Sequence, residues 1–471
     1  MPETDAPSLP AAAHDADDRE RHATPSILSP AYRATTLGMV ALISLVGFEA
    51  LAVATAMPTV ALALHGLRQY ALAFGLTIAA SAIGMSLAGP WGDARGPSQP
   101  LWTGLGGFVA GLLLAGCAHS MPMLLVGRFV QGLGAGAISV ALYVLAGECY
   151  PPDTRPRLFA AFSAAWVIPS LVGPALSGAI VEHIGWRWVF LAVPVCAVPA
   201  ALALAPALRE TRVRTGTFAD AGHRVLWACV AACGICVLYA GGQWHAGAAV
   251  AVLLPAGALT VFATWRLLPP GTLRAARGLP SVIALRGLVS AAFFGTEAFL
   301  PLLLSREHQL SPTLSGSILT VGALGWSAAS WYQGHRRNGW SRHRFLRVGT
   351  SVLCAGVLLS ATALWPKMPV AFAALGWLLA GLGMGLISAS LGVLTLAMSP
   401  PEKQGEHASA LRLSEAVAIA IALAASGSVF SALLTHAAPV AYGAVFAIAA
   451  TMALLGAAVV SRIGARDVVM N

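Results

Sequence analysis

The chain has 471 residues, of which 57% are apolar and only 10% charged, with a net charge of +9 at neutral pH and a mean hydropathy of +0.75. A soluble domain of this length does not carry so little charge, so the medium around most of the chain is lipid. No soluble segment is large enough to house catalysis. The sequence has neither a phosphate-binding Gly-rich loop ending in Lys-Ser/Thr nor a His pair at zinc spacing, so an enzyme is not expected, and no cofactor or metal.

Residues 1–31 are rich in Ala, Pro and acidic residues, without a basic head, apolar core and small-residue cleavage site, and read as a disordered tail rather than a signal peptide. Fourteen apolar stretches follow, each near the roughly 20 residues a spanning helix needs. The first eight are 37–59, 70–91, 101–118, 121–147, 157–181, 187–208, 225–241 and 247–268. The remaining six are 284–304, 313–333, 345–365, 369–398, 407–434 and 439–461, and only 225–241 is short for a span.

With the N-terminus in the cytoplasm, one side holds about 23 of the 28 basic residues, among them Arg209, Arg212, Arg214, Arg336, Arg337, Arg342, Arg344 and Arg347. The other side holds Arg68, Arg187, Arg306 and Lys367. The positive-inside rule then places both termini in the cytoplasm, as an even span count requires, and makes the chain a multi-pass protein of the plasma or inner membrane. This asymmetry accounts for the positive charge without a nucleic-acid partner.

Two stretches at corresponding places, GPWGDARGPSQP (89–100) after the second span and WYQGHRRNGWSRHRFLR (331–347) after the tenth, suggest an internal repeat if 225–268 is an insertion. The expected fold is therefore an all-α integral membrane protein of two six-helix halves plus two inserted helices. Its plan is a disordered cytoplasmic tail (1–36), an N-terminal half (37–208), a linker with two extra helices (209–283), a C-terminal half (284–461) and a cytoplasmic tail (462–471).

Two carboxylates lie deep inside spans: Glu49 in VGFEALAVATAMP, and Glu297 in FFGTEAFLP. A charge at a helix centre costs about 2.5–3.5 kcal/mol on insertion scales, so it persists where it faces protein or a wet cavity, and function is the default reading beside simple helix packing. By span count the first and ninth spans correspond, which would set the two acids facing each other across a cavity near mid-membrane. Either acid suits protons or a cationic substrate. Arg128, some seven residues or about 10 Å below the outer end of the fourth span, lies near the depth of Glu49 and is its natural partner. Contact with Arg favours a charged Glu, and burial without it favours a protonated one, so a contact that changes between two states would load and release a proton.

Other polar groups carry less. Glu148, Glu415 and Arg412 lie near cytoplasmic helix ends, with Arg412 and Glu415 spaced for a structural i,i+3 pair. The seven cysteines, Cys229, Cys233 and Cys236 among them, read as small packing thiols rather than disulfides or metal ligands. His65, His119, His183, His245, His308 and His436 fall in outer loops and read as solvated. Phe48, Trp166, Phe294 and Trp326 are candidate lining for an apolar substrate cavity.

Several stretches resemble the major facilitator superfamily. Gly89, Trp91, Asp93, Arg95 and Gly96 resemble its loop signature, although Pro97, Ser98 and Gln99 replace the usual basic residues. VGRFVQGLGAG (126–136), with Arg128, Gln131, Gly132 and Gly136, is similar to its fourth-helix motif. VGPALSG (172–178) is similar to the fifth-helix antiporter motif, with Gly173, Pro174 and Gly178 in place and Ser177 where a glycine is usual. GWRWVFL (185–191) resembles the start of the sixth helix in drug:proton antiporters. With fourteen spans, these point to the fourteen-helix drug:H+ antiporter family, whose helix-one acid lies nine residues before a Pro, as Glu49 does before Pro58; Leu51 and Ala54 replace its usual Thr and Asn.

The resemblance implies a monomeric, proton-driven multidrug efflux transporter that exports amphipathic drugs or dyes by alternating access and confers drug resistance. Its partners would be small-molecule substrates, protons and the bilayer. Glu49, Glu297 and Arg128 would couple protons. Gly89, Asp93, Arg95, Gly96, Glu148 and Arg155, with Arg157 nearby, would form a cytoplasmic gate, and Gly173–Pro174 a flexible helix. A dedicated exporter of one natural product or lipid, a proton-coupled importer, an uncoupled facilitator, and a membrane scaffold without flux remain alternatives.

Overall fold

A computed structural model describes residues 26–151, 154–210, 221–241, 246–335, 340–400, 404–434 and 438–463. The fold is all-α. Helices α1 (Arg33–Ala63), α2 (Tyr70–Arg95), α3 (Ser98–Gly116) and α4 (Met121–Cys149) are followed by α5 (Arg155–Ala164), α6 (Val167–His183), α7 (Arg187–Leu202) and α8 (Ala205–Glu210). Next come α9 (Ala221–Gly241), α10 (Ala246–Leu267), α11 (Leu279–Glu307) and α12 (Pro312–His335). Helices α13 (Arg342–Ser360), α14 (Val370–Ala397), α15 (Gln404–Leu433) and α16 (Ala438–Val460) complete the chain. Among the described residues eight helices are long and apolar enough to cross a bilayer, and shorter apolar helices include α6 and α7. The architecture is that of a multi-pass membrane protein.

Two expected spans are broken by proline. Residues 157–181 form α5 and α6, with the break at Ala165–Trp166, because Pro169 has no N–H to bond the carbonyl four residues back and its ring crowds it. Residues 187–208 form α7 and α8, and Pro206 ends α7 in the same way. Residues 89–95 of the first expected loop are instead the last turns of α2, which stops at Gly96 (φ 81°), a left-handed position that favours glycine. Of the second, α12 runs on to His335 and α13 starts at Arg342, capped by Ser341. The tail residues 1–25 and 464–471, Arg212, Arg214, Arg336, Arg337, His245 and His436 lie outside the described residues.

The helices pack in pairs that recur along the chain. Helix α4 lies between α2 and α3, and α14 lies in the same way between α12 and α13; α1 packs on α6 and α7, and α11 on α15 and α16. The cause is legible in two runs, Gly132-Leu-Gly-Ala-Gly136 in α4 and Gly381-Leu-Gly-Met-Gly385 in α14. A Cβ on Gly136 would lie 2.1 Å from the Ser81 carbonyl oxygen, and one on Gly385 2.4 Å from that of Trp326. Only glycine lets the backbones approach so closely. Helix α9 packs on α2 and α15, where Ala79 and Ala82 meet Ala228, Ala231 and Ala232 around a small apolar gap.

Candidate functional site

Glu49 on α1 and Arg128 on α4 are each only 3% exposed and form a buried ion pair, Arg128 Nη1 donating to Glu49 Oε1. The same Nη1 donates to Gln131 Oε1 at 2.8 Å, and Nε donates to the Ala73 carbonyl of α2 at 3.2 Å. Gln131 lies one turn after Arg128 and so shares its face, while its own Nε2 has no partner among the described residues. A charge taken out of water is tolerated only when paired and hydrogen-bonded, and here one guanidinium ties three helices through a carboxylate, an amide and a main-chain oxygen.

Glu297 on α11 is half-buried and has neither an ion pair nor a hydrogen bond among the described residues. One turn before it, Phe293 stacks on Trp377 of α14 at 4.6 Å between centroids and meets Trp326 of α12 edge-on at 5.3 Å. Phe294 packs beside Trp326 at 6.4 Å. Of the expected cavity residues, Phe294 and Trp326 therefore belong to one cluster. Phe48 lies against Gly173, and the exposed Trp166 covers Gly47, where a Cβ would stand 3.0 Å from its ring.

The packing of α4 and α14 reveals a correspondence that the span count alone leaves coarse. Aligning the two glycine runs puts Trp377 where α4 has Arg128. Its Nε1 donates to the Leu319 carbonyl of α12 at 3.2 Å, the counterpart of the Arg128 bond to Ala73 on α2. Gly47-Phe-Glu-Ala-Leu51 likewise matches Gly295-Thr-Glu-Ala-Phe299, so Glu49 and Glu297 occupy equivalent places. Sequence reasoning passed over Trp377; the signal was the self-similar Gly-Leu-Gly run.

A second buried ion pair was also passed over. Arg286 of α11 donates to Glu415 of α15 at 2.6 Å, and Ser290, one turn on, donates to the same oxygen at 3.2 Å. The expected Arg412–Glu415 contact is present at 3.3 Å. Arg286 lies two residues inside the expected span 284–304, so by position alone it resembles the arginines that flank span ends.

Of the expected cytoplasmic gate, Arg155 and Glu148 do not pair with each other. Arg155 donates to the carbonyls of Tyr150 (2.9 Å) and Gly147 (2.7 Å), closing the end of α4 instead of pairing with Glu148, because freed carbonyls at a helix C-terminus attract a cation. Both Glu148 carboxylate oxygens are buried without a partner among the described residues, and Arg157 and Arg95 are exposed. The side chain of Asp93 lies outside the described residues, and a Cβ on Gly89 would meet no other described residue within 4 Å. The antiporter-like stretch of α6 is clamped between helices. Ser177 donates to the Ala52 carbonyl of α1 at 2.6 Å, a bond the usual glycine cannot make, and Pro174 and Gly178 press against Gly316 and Thr313 of α12.

Residues 37–423, which contain every ion pair described above, match the Major Facilitator Superfamily. The chain belongs to that superfamily. An uncharacterised MFS-type transporter of Mycobacterium tuberculosis is 26% identical over 390 residues, covering 80% of this chain and 56% of that one. The chain thus spans about half the length of the curated relatives it matches first. Multidrug resistance protein 3 of Bacillus subtilis is 31% identical over 147 residues, 31% of this chain and 29% of that one. A crystal structure of a POT family transporter in complex with a thioalcohol-conjugated peptide aligns with a TM-score of 0.66 at 13% identity, covering 92% of this chain and 97% of that one. The superfamily and these matched chains are transporters, not enzymes. Among the described residues of this superfamily member no group of three or more His, Cys, Asp or Glu stands ready for a metal, and all seven cysteines are free.

Proposed function

We propose that the chain is a proton-coupled secondary transporter of the fourteen-helix drug:H+ antiporter type, exporting amphipathic cationic or neutral drugs or dyes by alternating access. The observation that carries this reading is the buried Glu49–Arg128 pair. Arg128 holds two further acceptors, Gln131 and the Ala73 carbonyl, so it keeps partners when Glu49 takes a proton and lets go. A carboxylate that alternates between Arg128 and a proton is a coupling element.

The recurring helix pairs support two six-helix halves, 37–208 and 284–461, joined by a segment with two inserted helices and flanked by cytoplasmic tails. Glu297, with no arginine beside it among the described residues and aromatic rings one turn away, suits an exchange in which a cationic substrate takes the place of its proton. Asp93 and the end of α2 would gate the cytoplasmic side, and the chain would work as a monomer.

The test is accumulation of cationic and neutral dyes in efflux-deficient bacteria, comparing wild type with Glu49→Gln at matched expression. Reduced accumulation that a protonophore abolishes and Glu49→Gln loses supports the reading. Export that survives Glu49→Gln at full strength points to an uncoupled facilitator. Export of no dye, with export of one lipid or natural product, points to a dedicated carrier.

A further inference from the structure

Side-chain hydrogen bonds join the proposed halves directly at two places among the described residues, and both lie toward the face that the distribution of Lys and Arg assigns to the outside. One is buried: the Tyr70 hydroxyl at the start of α2 donates to the Ala298 carbonyl of α11 at 2.6 Å. The other is exposed. Glu182, at the outer end of α6, accepts from the backbone N–H of Thr313 at 3.0 Å through Oε1 and from its hydroxyl at 2.7 Å through Oε2. Thr313 lies in the first turn of α12, where Ser311 already receives the Leu314 N–H at 3.3 Å. Glu182 therefore supplies an acceptor for a first-turn amide from a helix of the opposite half, and its charge favours that helix end.

One turn below, the backbones are in near contact. A Cβ on Gly178 would lie 2.5 Å from Thr313 Cα, and one on Gly316 2.2 Å from the Pro174 carbonyl oxygen. The hook and this close seam share the same two helices. Any separation of α6 from α12 at the outer side must break both bonds to Thr313 and part the Gly178–Gly316 seam.

We propose that Glu182 is an outer latch: its carboxylate, gripping Thr313 across the seam, holds the outer side shut and sets how often it opens. The latch is a positioning device and touches no substrate. Alternating access supplies the motion that it opposes, yet its effect is read from distances rather than from transport, so either can fail alone.

The experiment is a pulsed electron-electron distance measurement on the full chain in lipid nanodiscs. One spin label sits at Cys117, an exposed natural cysteine after α3, and the other at Met368→Cys before α14, with the other six cysteines replaced. Both sites lie at outer ends, away from the latch. Glu182→Ala, which removes both acceptor oxygens, is expected to raise the ratio of the longer to the shorter distance by about 2- to 30-fold, the factor that a lost helix cap gives. Thr313→Val, which keeps the amide and removes the hydroxyl, is expected to move the ratio the same way by less. Distance distributions unchanged in both variants, or a shift toward shorter distances, would overturn the latch. A transport-dead Glu49→Gln protein that still opens on Glu182→Ala would leave it standing.

Discussion

Helices α1 and α11, which open the two proposed halves, carry the same short sequence, Gly-x-Glu-Ala, and treat its carboxylate in opposite ways. In the first, Glu49 is sealed against Arg128, which is itself tied to α2 and to Gln131. In the second, the arginine position is Trp377, which makes the corresponding main-chain bond through its ring nitrogen and leaves Glu297 without a basic partner. The helix packing that surrounds both is alike, down to the paired glycine runs. Equivalent backbones thus carry one neutralised acid and one uncompensated acid. That difference is the physical basis for the proposal that the first couples protons and the second exchanges its proton for a cationic substrate.

The largest effect expected from this contrast is on stability. Arg128→Leu leaves Glu49 buried without its partner and is expected to cost about 3–5 kcal/mol, whereas the double variant Glu49→Gln/Arg128→Leu recovers most of that loss. Thermal unfolding in detergent reads both. A single variant as stable as wild type would show that the pair is not a shared structural unit and would remove the contrast with Glu297.

The all-helical membrane architecture and the superfamily were legible because lipid imposes long apolar runs and because close helix approach demands glycine at fixed spacing. The depth of Glu49 and Arg128 was likewise readable from residue counts, since a helix rises evenly. Three features were not. The breaks before α6 and α8 depend on where single prolines meet the preceding turn, which hydropathy windows average away. Arg155 was expected to seek a carboxylate, but unbonded carbonyls at the end of α4 lay nearer. Trp377 reads as one more apolar residue until the packing aligns it with Arg128.

A middle-sized effect tests the other acid. Glu297 has no partner to strand, so Glu297→Gln is expected to leave the melting temperature near wild type while reducing export of cationic dyes about tenfold, the factor that 1.4 kcal/mol of lost charge attraction gives. Neutral dyes should leave as before. Equal loss of cationic and neutral dyes would instead make Glu297 a second coupling acid and erase the proposed division between the halves.

The smallest expected effect concerns Glu415, which lies between a buried and an exposed arginine and so repeats the contrast on a single carboxylate. Arg286 and Ser290 hold one of its oxygens from α11, inside the packed seam with α15. Arg412 reaches the other from one turn before on the same helix, and its side chain is 67% exposed. Solvent and salt screen the exposed contact, and the long side chain loses rotamer freedom to make it. Arg412→Ala is therefore expected to change stability by no more than about 1 kcal/mol, with the difference shrinking as salt is added. A larger, salt-insensitive loss in the same thermal unfolding assay would mean that Glu415 depends on both arginines, and that burial alone does not rank the ion pairs of this chain.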